Sequence, residues 1–285
     1  MKLKKITIVY FSATDVTRTY ARLMKEEILE GGWDVKLIDV TSFRSRHKKI
    51  LLEVDHQIIF GFPVYGDFAP RVINQWIETL DGQGRRCATF FTYGGRTSGY
   101  AHFHTKLLLE KVGFEVLFSA EFLGRHSFNE GGWSILKDRP NEVDFQAARE
   151  FAQLAIDRFS MENPPDFQLQ KPFGYYYAIR AKEQQIKQTK RGRAQPYRVT
   201  EDCSMCRICE EECPTQAFDM DTGLSDIEKC IECMRCVYLC PDGVIQCNPK
   251  MKEDFQEFLD YFHLNQAMLD AKKSKIITDS WQAAA

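Results

Sequence analysis

The sequence predicts an α/β protein: a doubly wound parallel five-stranded sheet followed by a small α+β domain. Strand-like runs of apolar and β-branched residues alternate with helical patterns over about 160 residues. Eight of the ten cysteines then crowd between Cys203 and Pro241. With 285 residues, of which 44% are hydrophobic, the chain suits one domain of ordinary size and one small domain.

The five strands are predicted from buried apolar runs at 4–11, 34–40, 57–62, 87–93 and 115–122. A helix with apolar residues from Tyr20 to Ile28 follows the first strand and stops at Gly31. Another helix, through Val72, Trp76 and Leu80, follows the third strand, and a last one begins near Asn141.

Ligands of doubly wound sheets bind outside the carboxyl ends of the strands, where the strand order reverses. Loops rich in glycine or hydroxyl groups follow strands one, three and four, at 12–17, 63–67 and 92–96. We expect these loops to converge on one site. The segment 124–128, which carries His126, leaves strand five on the same side but has no motif of its own.

The cysteine-rich segment contains two copies of one pattern. CSMCRICEEECP begins at Cys203 and CIECMRCVYLCP at Cys230, so each cysteine and the final proline recur after 27 residues. The spacing resembles the C-x₂-C-x₂-C-x₃-C-P runs of bacterial ferredoxins, in which the fourth cysteine of each run binds the other of two [4Fe–4S] clusters. This resemblance assigns Cys203, Cys206, Cys209 and Cys240 to one cluster, and Cys230, Cys233, Cys236 and Cys213 to the other.

Zinc and disulfides are the alternatives for these cysteines. Structural zinc sites take four ligands in two separated pairs, which two sets of three closely spaced cysteines fit poorly. Disulfides require an oxidising compartment. The first apolar run leads into Asp15 and Arg18, as a buried strand does, and not into the cleavage site of a signal peptide. We therefore expect a cytoplasmic protein.

The other cysteines and three of the histidines are expected to have structural roles and not to bind metal. Cys87 and Cys247 lie outside the repeat, and we expect each to be a small buried residue. His102 and His104 lie on different faces of a helix, so joint ligation is not expected. These two histidines and His126 are expected to be solvated or hydrogen-bonded.

Residues 12–17, Ser-Ala-Thr-Asp-Val-Thr, resemble the S/T-x-T-G-x-T phosphate loop of the flavodoxins. With its cysteine runs, the whole chain resembles the flavodoxin/ferredoxin fusion proteins of anaerobic bacteria and archaea. The resemblance implies a flavodoxin-like sheet, a bacterial ferredoxin-like domain, FMN and two [4Fe–4S] clusters. It also implies that Tyr65 stacks on the flavin ring. The implied FMN-binding residues are Ser12, Ala13, Thr14, Asp15, Val16, Thr17, Pro63, Val64, Tyr65, Gly66, Thr92, Tyr93, Gly94, Gly95 and Arg96.

The phosphate loop departs from the family pattern at Asp15, which replaces a glycine. A carboxylate there repels a phosphate unless its side chain turns away to cap the following helix. Arg18 or Arg96 is expected to offset the charge. The alternative is that the loop hydroxyls only cap a helix and that flavin binding has been lost.

Charge and composition divide the chain further. Residues 171–198 carry eight Lys/Arg against one Glu, whereas residues 201–247 carry eleven Asp/Glu against three Lys/Arg. Nucleic-acid binding is not expected, because the aromatic residues of the basic segment are separate from most of its charge. No apolar run approaches the ~20 residues of a membrane span. We predict a flavodoxin-like domain at 1–162, a basic linker at 163–198, a ferredoxin domain at 199–250 and a helical tail at 251–285.

The predicted function is electron transfer between FMN, the two clusters and redox partner proteins in anaerobic metabolism. The expected partners are a ferredoxin-like donor and a reductive enzyme as acceptor. One alternative is an FMN-dependent oxidoreductase that reduces a small molecule; another is a ferredoxin with a flavin-free scaffold domain. A nicotinamide site is not expected, because no G-x-G-x-x-G opens a helix after a strand.

Overall fold

The computed structural model describes residues 4–48, 52–53, 55–187 and 194–278. Its first part is a parallel sheet in the order β2-β1-β3-β4-β5. This order is that of the flavodoxin-like fold, with the switch point between β1 and β3, so the predicted fold is confirmed. The strands are β1 (Lys5–Tyr10), β2 (Asp34–Asp39), β3 (His56–Pro63), β4 (Arg86–Tyr93) and β5 (Glu115–Leu123).

Helices cover both faces of this sheet and complete the doubly wound architecture. They are α1 (Val16–Glu30), α2 (Phe43–His47), α3 (Arg71–Ile77), α4 (Ala101–Lys111) and α5 (Glu142–Ser160). On one face α1 and α5 bury a core that includes Tyr20 and Phe151. On the other face α3 and α4 bury Trp76 and Leu109. Helix α3 ends before Leu80, to which the sequence prediction extended it.

The start of α5 shows how local sequence sets an element boundary. The side chain of Asn141 accepts hydrogen bonds from the backbone N–H groups of Val143, at 3.1 Å, and Asp144, at 3.4 Å. The Asp144 carboxylate in turn accepts from the Asn141 N–H at 3.0 Å. This capping box satisfies amides that have no partner inside the helix.

The segment after α5 packs against the sheet domain. Phe167 and Leu169 are buried in the core beneath α3 and α4. The predicted basic linker contains helix α6 (Tyr175–Lys187). The sequence pattern predicts a short helix at 181–189; α6 starts earlier, and residues 188 and 189 lie outside the described residues. Tyr175 is buried and its hydroxyl lies 2.8 Å from His104 Nδ1 on α4. The predicted basic linker therefore begins as part of the packed domain.

The cysteine-rich domain has a small antiparallel sheet in the order β7-β8-β6-β9 and two short helices in its described part. Its apolar residues Phe218, Val244 and Ile245, which follow the prolines of the two runs, pack with cysteines of both runs. The elements are β6 (Tyr197–Arg198), α7 (Ile208–Glu211), β7 (Phe218–Asp219), β8 (Leu224–Ser225), α8 (Arg235–Leu239) and β9 (Ile245–Gln246).

The backbone repeats in the same register as the cysteines. Helix α8 begins 27 residues after α7 begins. Left-handed conformations, which residues other than glycine adopt uncommonly, also recur at this spacing. These pairs are Met205 and Glu232, Arg207 and Met234, and Gln216 and Gly243. The two copies thus share a loop geometry that the cysteine spacing alone indicated.

The tail contains α9 (Lys250–Tyr261), α10 (Gln266–Asp270) and β10 (Lys275–Ile277). Strand β10 pairs antiparallel with β5, so the main sheet has six strands within the described ranges. Helix α9 reaches across both domains: the Trp133 Nε1–H donates to the Met251 carbonyl at 2.7 Å, and Met251 packs in one core with Met234. Across the described ranges, no helix has the length and apolarity to span a bilayer.

Replacement of Asn141 by alanine is expected to destabilise the sheet domain by about 1 kcal/mol, because it leaves amides of the first α5 turn without their cap. Urea unfolding followed by far-UV circular dichroism measures the loss. Gln146→Ala, on the exposed face of the same helix, is the control and should change stability by less than about 0.5 kcal/mol. Equal stability of both variants would show that the capping box does not hold this helix.

Candidate functional site

The loops after β1, β3 and β4 converge at the carboxyl edge of the sheet, as the sequence predicted. Thr17 Oγ1 lies 2.8 Å from Thr92 Oγ1, which joins the first loop to the end of β4. A cavity of about 40 Å³ lies between the loops. The predicted residues that line it are Ser12, Ala13, Thr14, Val16, Thr17, Pro63, Val64, Tyr65, Thr92, Tyr93 and Gly94.

The remaining predicted residues stand around the cavity and not in its wall. Gly66 and Asp67 form a turn with positive φ, and the Asp67 carboxylate is paired with Arg96. The Arg96 guanidinium also lies 4.5 Å from the centre of the Phe262 ring on the tail. Gly95 has a φ of 85° and lies under Leu269, so the tail covers the β4 loop.

The segment after β5 supplies the part of the wall that the predicted residues do not. Gly124, Arg125, His126 and Ser127 line the cavity. Arg125 donates to the Thr14 carbonyl at 3.3 Å, and the His126 ring packs 5.2 Å from the Trp133 ring, measured between centres. The signal for this segment was its place at the carboxyl end of a parallel strand, without any motif.

The first loop presents backbone amides at the N-terminus of α1. Within the described chain, the N–H groups of residues 13–17 have no hydrogen-bond partner, and the side chains of Ala13, Thr14 and Thr17 are buried. Such amides, aligned with the helix dipole, form an anion site. The Ser12 hydroxyl accepts from the Arg18 N–H at 3.1 Å, so this one hydroxyl does cap the helix.

Asp15 occupies a left-handed conformation with a φ of 65°, which explains why the family pattern has glycine there. Its side chain does not cap the helix; its carboxylate pairs with Arg18 and accepts from the Tyr238 hydroxyl at 3.0 Å. The expected charge compensation therefore comes from Arg18, whereas Arg96 is engaged by Asp67. Tyr238 belongs to α8, so the cysteine-rich domain takes part in this arrangement.

Arg235, between the second and third cysteines of the second run, joins the two domains. Its side chain is buried, and its Nη1 donates to the carbonyls of Ser12, at 3.0 Å, and Ala13, at 3.4 Å. Its Nε donates to the Glu212 carbonyl at 3.1 Å, and its Nη2 pairs with the Glu212 carboxylate. The second cysteine run is thereby fixed on the first loop of the sheet domain.

Cys233 lies beside the candidate flavin loops. It is 8% exposed and shares a core with Phe11 and Ala13, against which Tyr65 packs. Burial raises the pKa of Tyr65 well above its usual value, and the neighbouring Cys233 raises it further. Burial, followed by the charge of Cys213, likewise raises the pKa of Cys233 to about 12.

The cysteines lie close to the partners that crossed ligation requires. Burial raises the pKa of Cys209 to about 11, with contributions from the nearby Cys206 and Cys240. Cys240 is the fourth cysteine of the other run. The fourth cysteine of the first run, Cys213, contributes in the same way to the raised pKa values of Cys230, Cys233 and Cys236. All ten cysteines are free of disulfides.

The two cysteines outside the repeat are buried, as expected, and His102 is hydrogen-bonded. Cys87 is fully buried, and Cys247 is buried with its sulfur 3.1 Å from that of Met234. His102 is buried, 2.6 Å from Ser119 Oγ and close to Glu121. Burial raises the Glu121 pKa, but hydrogen bonds from His102 and Ser98 and nearby positive charge outweigh it and lower this pKa to about 2. This group is a buried hydrogen-bonded network.

Comparison with known proteins identifies the second domain. The 4Fe-4S dicluster domain family matches residues 195–241. Ferredoxin-2 of Chlorobaculum tepidum is 32% identical over 53 residues, which cover 16% of this chain and 86% of that protein. A flavodoxin from the domain Archaea is 16% identical, covers 55% of this chain and 99% of its own, and has a TM-score of 0.40. Flavodoxin 2 of Bacillus cereus is 18% identical, covers 54% of this chain and 99% of its own, and has a TM-score of 0.43.

His126 is expected to make the fold sensitive to mild acid. Burial, followed by the charge of Arg96, lowers its pKa from 6.5 to about 4. Because the unfolded chain then binds a proton that the folded chain does not, stability is full above pH 6.5 and falls as the pH drops towards 4. Between pH 7.5 and 5, His126→Gln should abolish a loss on the order of 1–2 kcal/mol.

Urea unfolding curves at the two pH values, followed by tryptophan fluorescence, measure this difference. His47→Gln, an exposed histidine on α2, is the matched control and should retain the full loss. If His126→Gln and the parent lose the same stability, His126 is not the group that titrates.

Proposed function

Because this chain belongs to the 4Fe-4S dicluster ferredoxin family through residues 195–241, we propose that it passes electrons between FMN and two [4Fe–4S] clusters and on to redox partner proteins. The expected partners are a ferredoxin-like donor and a reductive enzyme as acceptor, in anaerobic metabolism. The observation that carries the proposal is the docking of the second cysteine run on the candidate flavin loops, through Arg235 and Cys233.

The cysteines of the two runs hold the clusters in a crossed arrangement. One cluster takes Cys203, Cys206, Cys209 and Cys240, and the other takes Cys230, Cys233, Cys236 and Cys213. The proximity of Cys240 to Cys209 and of Cys213 to Cys233 supports this assignment. The left-handed loop residues, repeated 27 residues apart, support equivalent roles for the two runs.

The first loop suits the phosphate of FMN. The unpaired amides of residues 13–17 are the donors that a phosphate requires, and Arg18 offsets the charge of Asp15. Tyr65 and Gly94, on the other loops, flank the space for the ring. A flavin held there supplies exchange of electron pairs with one partner and of single electrons with the clusters.

The ring needs more space than the cavity offers. The cavity volume of about 40 Å³ is well below the roughly 300 Å³ at which small-ligand sites begin. Arg125 and His126 line the cavity on the side of β5, so we propose that this segment moves outward when FMN binds. The narrow cavity also favours a second candidate function, a ferredoxin whose sheet domain is a flavin-free scaffold.

The two proposed clusters differ in exposure, and this difference suggests the order in which electrons pass through them. Cys233 is buried against the flavin loops, whereas Cys206 of the first run is exposed. Electrons are therefore proposed to pass between flavin and the Cys233 cluster, then to the Cys206 cluster, and from there to a partner protein. A surface-exposed cofactor is accessible to the transient contacts that redox partners make.

Anaerobic purification followed by iron, sulfide and flavin analysis is expected to give about eight iron atoms and one FMN per chain. Eight irons without flavin, even after incubation with excess FMN, would establish the scaffold alternative.

Crossed ligation predicts which double variants lose both clusters. Cys209→Ala with Cys213→Ala should remove all of the roughly eight irons, because the two residues serve different clusters. Cys213→Ala with Cys233→Ala should leave about four, because these residues serve the same cluster. Cys247→Ala, outside the repeat, is the control and should keep all of the iron. Uncrossed ligation would reverse the first two results.

Asp15→Asn is expected to tighten FMN binding. Asparagine tolerates the left-handed conformation and can still bond Tyr238, so the change removes the charge and leaves Arg18 free for the phosphate. We expect a gain of roughly three- to tenfold in FMN affinity, as removal of one partly exposed charge permits. Quenching of FMN fluorescence by the cluster-loaded protein measures it.

Glu115→Gln is the matched control for this variant. It also removes a carboxylate paired with an arginine, Arg86 at 3.2 Å, but at the end of the sheet opposite the cavity. Its FMN affinity should equal that of the parent. A gain in Glu115→Gln as large as that in Asp15→Asn would mean that net charge, and not the phosphate loop, sets the affinity.

A further inference from the structure

A second and larger cleft lies between the sheet domain and the cysteine-rich domain, beside the end of the first cysteine run and the start of the second. Its volume is about 650 Å³, within the range of roughly 300–1,000 Å³ of small-molecule sites. One wall comes from α2 and α3, and the other from the segments around Pro214 and Lys229. The lining residues are Phe43, Arg46, His47, Lys48, Arg71, Val72, Gln75, Trp76, Thr79, Leu80, Pro214, Thr215, Glu228 and Lys229.

The lining of this cleft carries excess positive charge. The lining includes the cationic side chains of Arg46, Lys48, Arg71 and Lys229 and one carboxylate, that of Glu228. Of the four cations, Lys229 is paired with Asp226 at 3.5 Å. Within the described residues, neither Lys48 nor Arg71 has an ion pair or a side-chain hydrogen bond, and Arg46 bonds carbonyl groups. Burial lowers the pKa of Arg46 to about 10, so this side chain remains charged at neutral pH. The excess charge favours an anion.

Flat apolar groups form the rest of the cleft. The Phe43 ring stacks on the His47 ring, with 3.8 Å between their centres, and Trp76 is 8% exposed. Val72 and Leu80 are half-buried beside them. Apolar walls with a few convergent charged groups are the usual composition of a small-molecule site.

We propose that this cleft binds a small anionic molecule with a flat apolar part, such as an aromatic carboxylate or sulfonate. Its anionic group pairs with Arg71 and Lys48, and its flat part lies along Trp76 and Phe43. An acidic protein partner fits less well, because the charges lie around a concave space and not on a broad flat surface.

The cleft lies beside the end of the first cysteine run and the residue before the second run. The Phe43 N–H donates to the Cys213 carbonyl at 3.3 Å, and Arg46 bonds the Pro214 carbonyl. Lys229 precedes Cys230 in the chain. If the proposed function holds, the bound molecule lies beside residues adjacent to two ligands of one cluster, where it can meet that cluster or alter its surroundings. Binding itself does not depend on the proposed function.

The test uses the purified cluster-containing chain and the anionic probe 8-anilinonaphthalene-1-sulfonate, titrated under anaerobic conditions. Arg71→Gln should weaken binding roughly tenfold, because it removes a charged hydrogen-bond donor to the sulfonate. N-phenyl-1-naphthylamine has the same rings without the sulfonate, and its affinity should be unaffected by Arg71→Gln. Lys111→Gln, which removes an exposed lysine paired with Glu78, is the control for net charge.

Three results would overturn the proposal. One is equal affinity of the parent and Arg71→Gln for the sulfonate probe, and another is an equal loss with Lys111→Gln. The third is displacement of the probe by poly-glutamate at much lower carboxylate concentration than by benzoate, which would assign the cleft to an acidic protein. Iron content, measured in the same samples, separates a failure of this site from a failure of the proposed clusters.

Discussion

The contact on which the arrangement of the two domains depends is that of Arg235 with the carbonyls of Ser12 and Ala13. A buried guanidinium is costly unless its donors are satisfied, and here the phosphate-loop carbonyls and Glu212 satisfy them. Without the sheet domain, the Arg235 guanidinium would lack the carbonyl acceptors of the loop. Without Arg235, the carbonyls of Ser12 and Ala13 would lack this donor. The cysteine-rich domain is therefore built onto the sheet and is not a module on a free linker.

This constraint makes the two copies of the cysteine repeat unequal. The cysteines, the prolines, the short helices and the left-handed residues recur 27 residues apart, so the copies are alike as local structures. Their surroundings differ, because Arg235 and Cys233 face the sheet domain while Cys206 faces outward. Hydrogen bonding and exposure tune iron–sulfur potentials, so clusters held by the two copies would differ in potential through their surroundings.

The features predicted from sequence are those set by local patterns. Strand runs, the Asn141 cap and the cysteine spacing each contain their own signal within a few residues. The contact of Asp15 with Tyr238, the wall formed by Arg125 and the pairing of β10 with β5 join residues more than 100 positions apart. Such contacts follow from tertiary packing, and no single-sequence pattern encodes them. The fold was therefore predictable, whereas the cavity wall formed by the segment after β5 was not.

The first loop divides its polar groups between two tasks. Its carbonyls at Ser12 and Ala13 point to Arg235 and the cysteine-rich domain, whereas its amides at residues 13–17 remain open for an anion. Docking through Arg235 and the proposed binding of an anion therefore use different backbone atoms of this loop. Asp15 belongs to the docking side through Tyr238, and Arg18 offsets its charge. Replacement of the family's glycine thus links the anion site to the second domain and leaves the backbone amides open, but it engages Arg18.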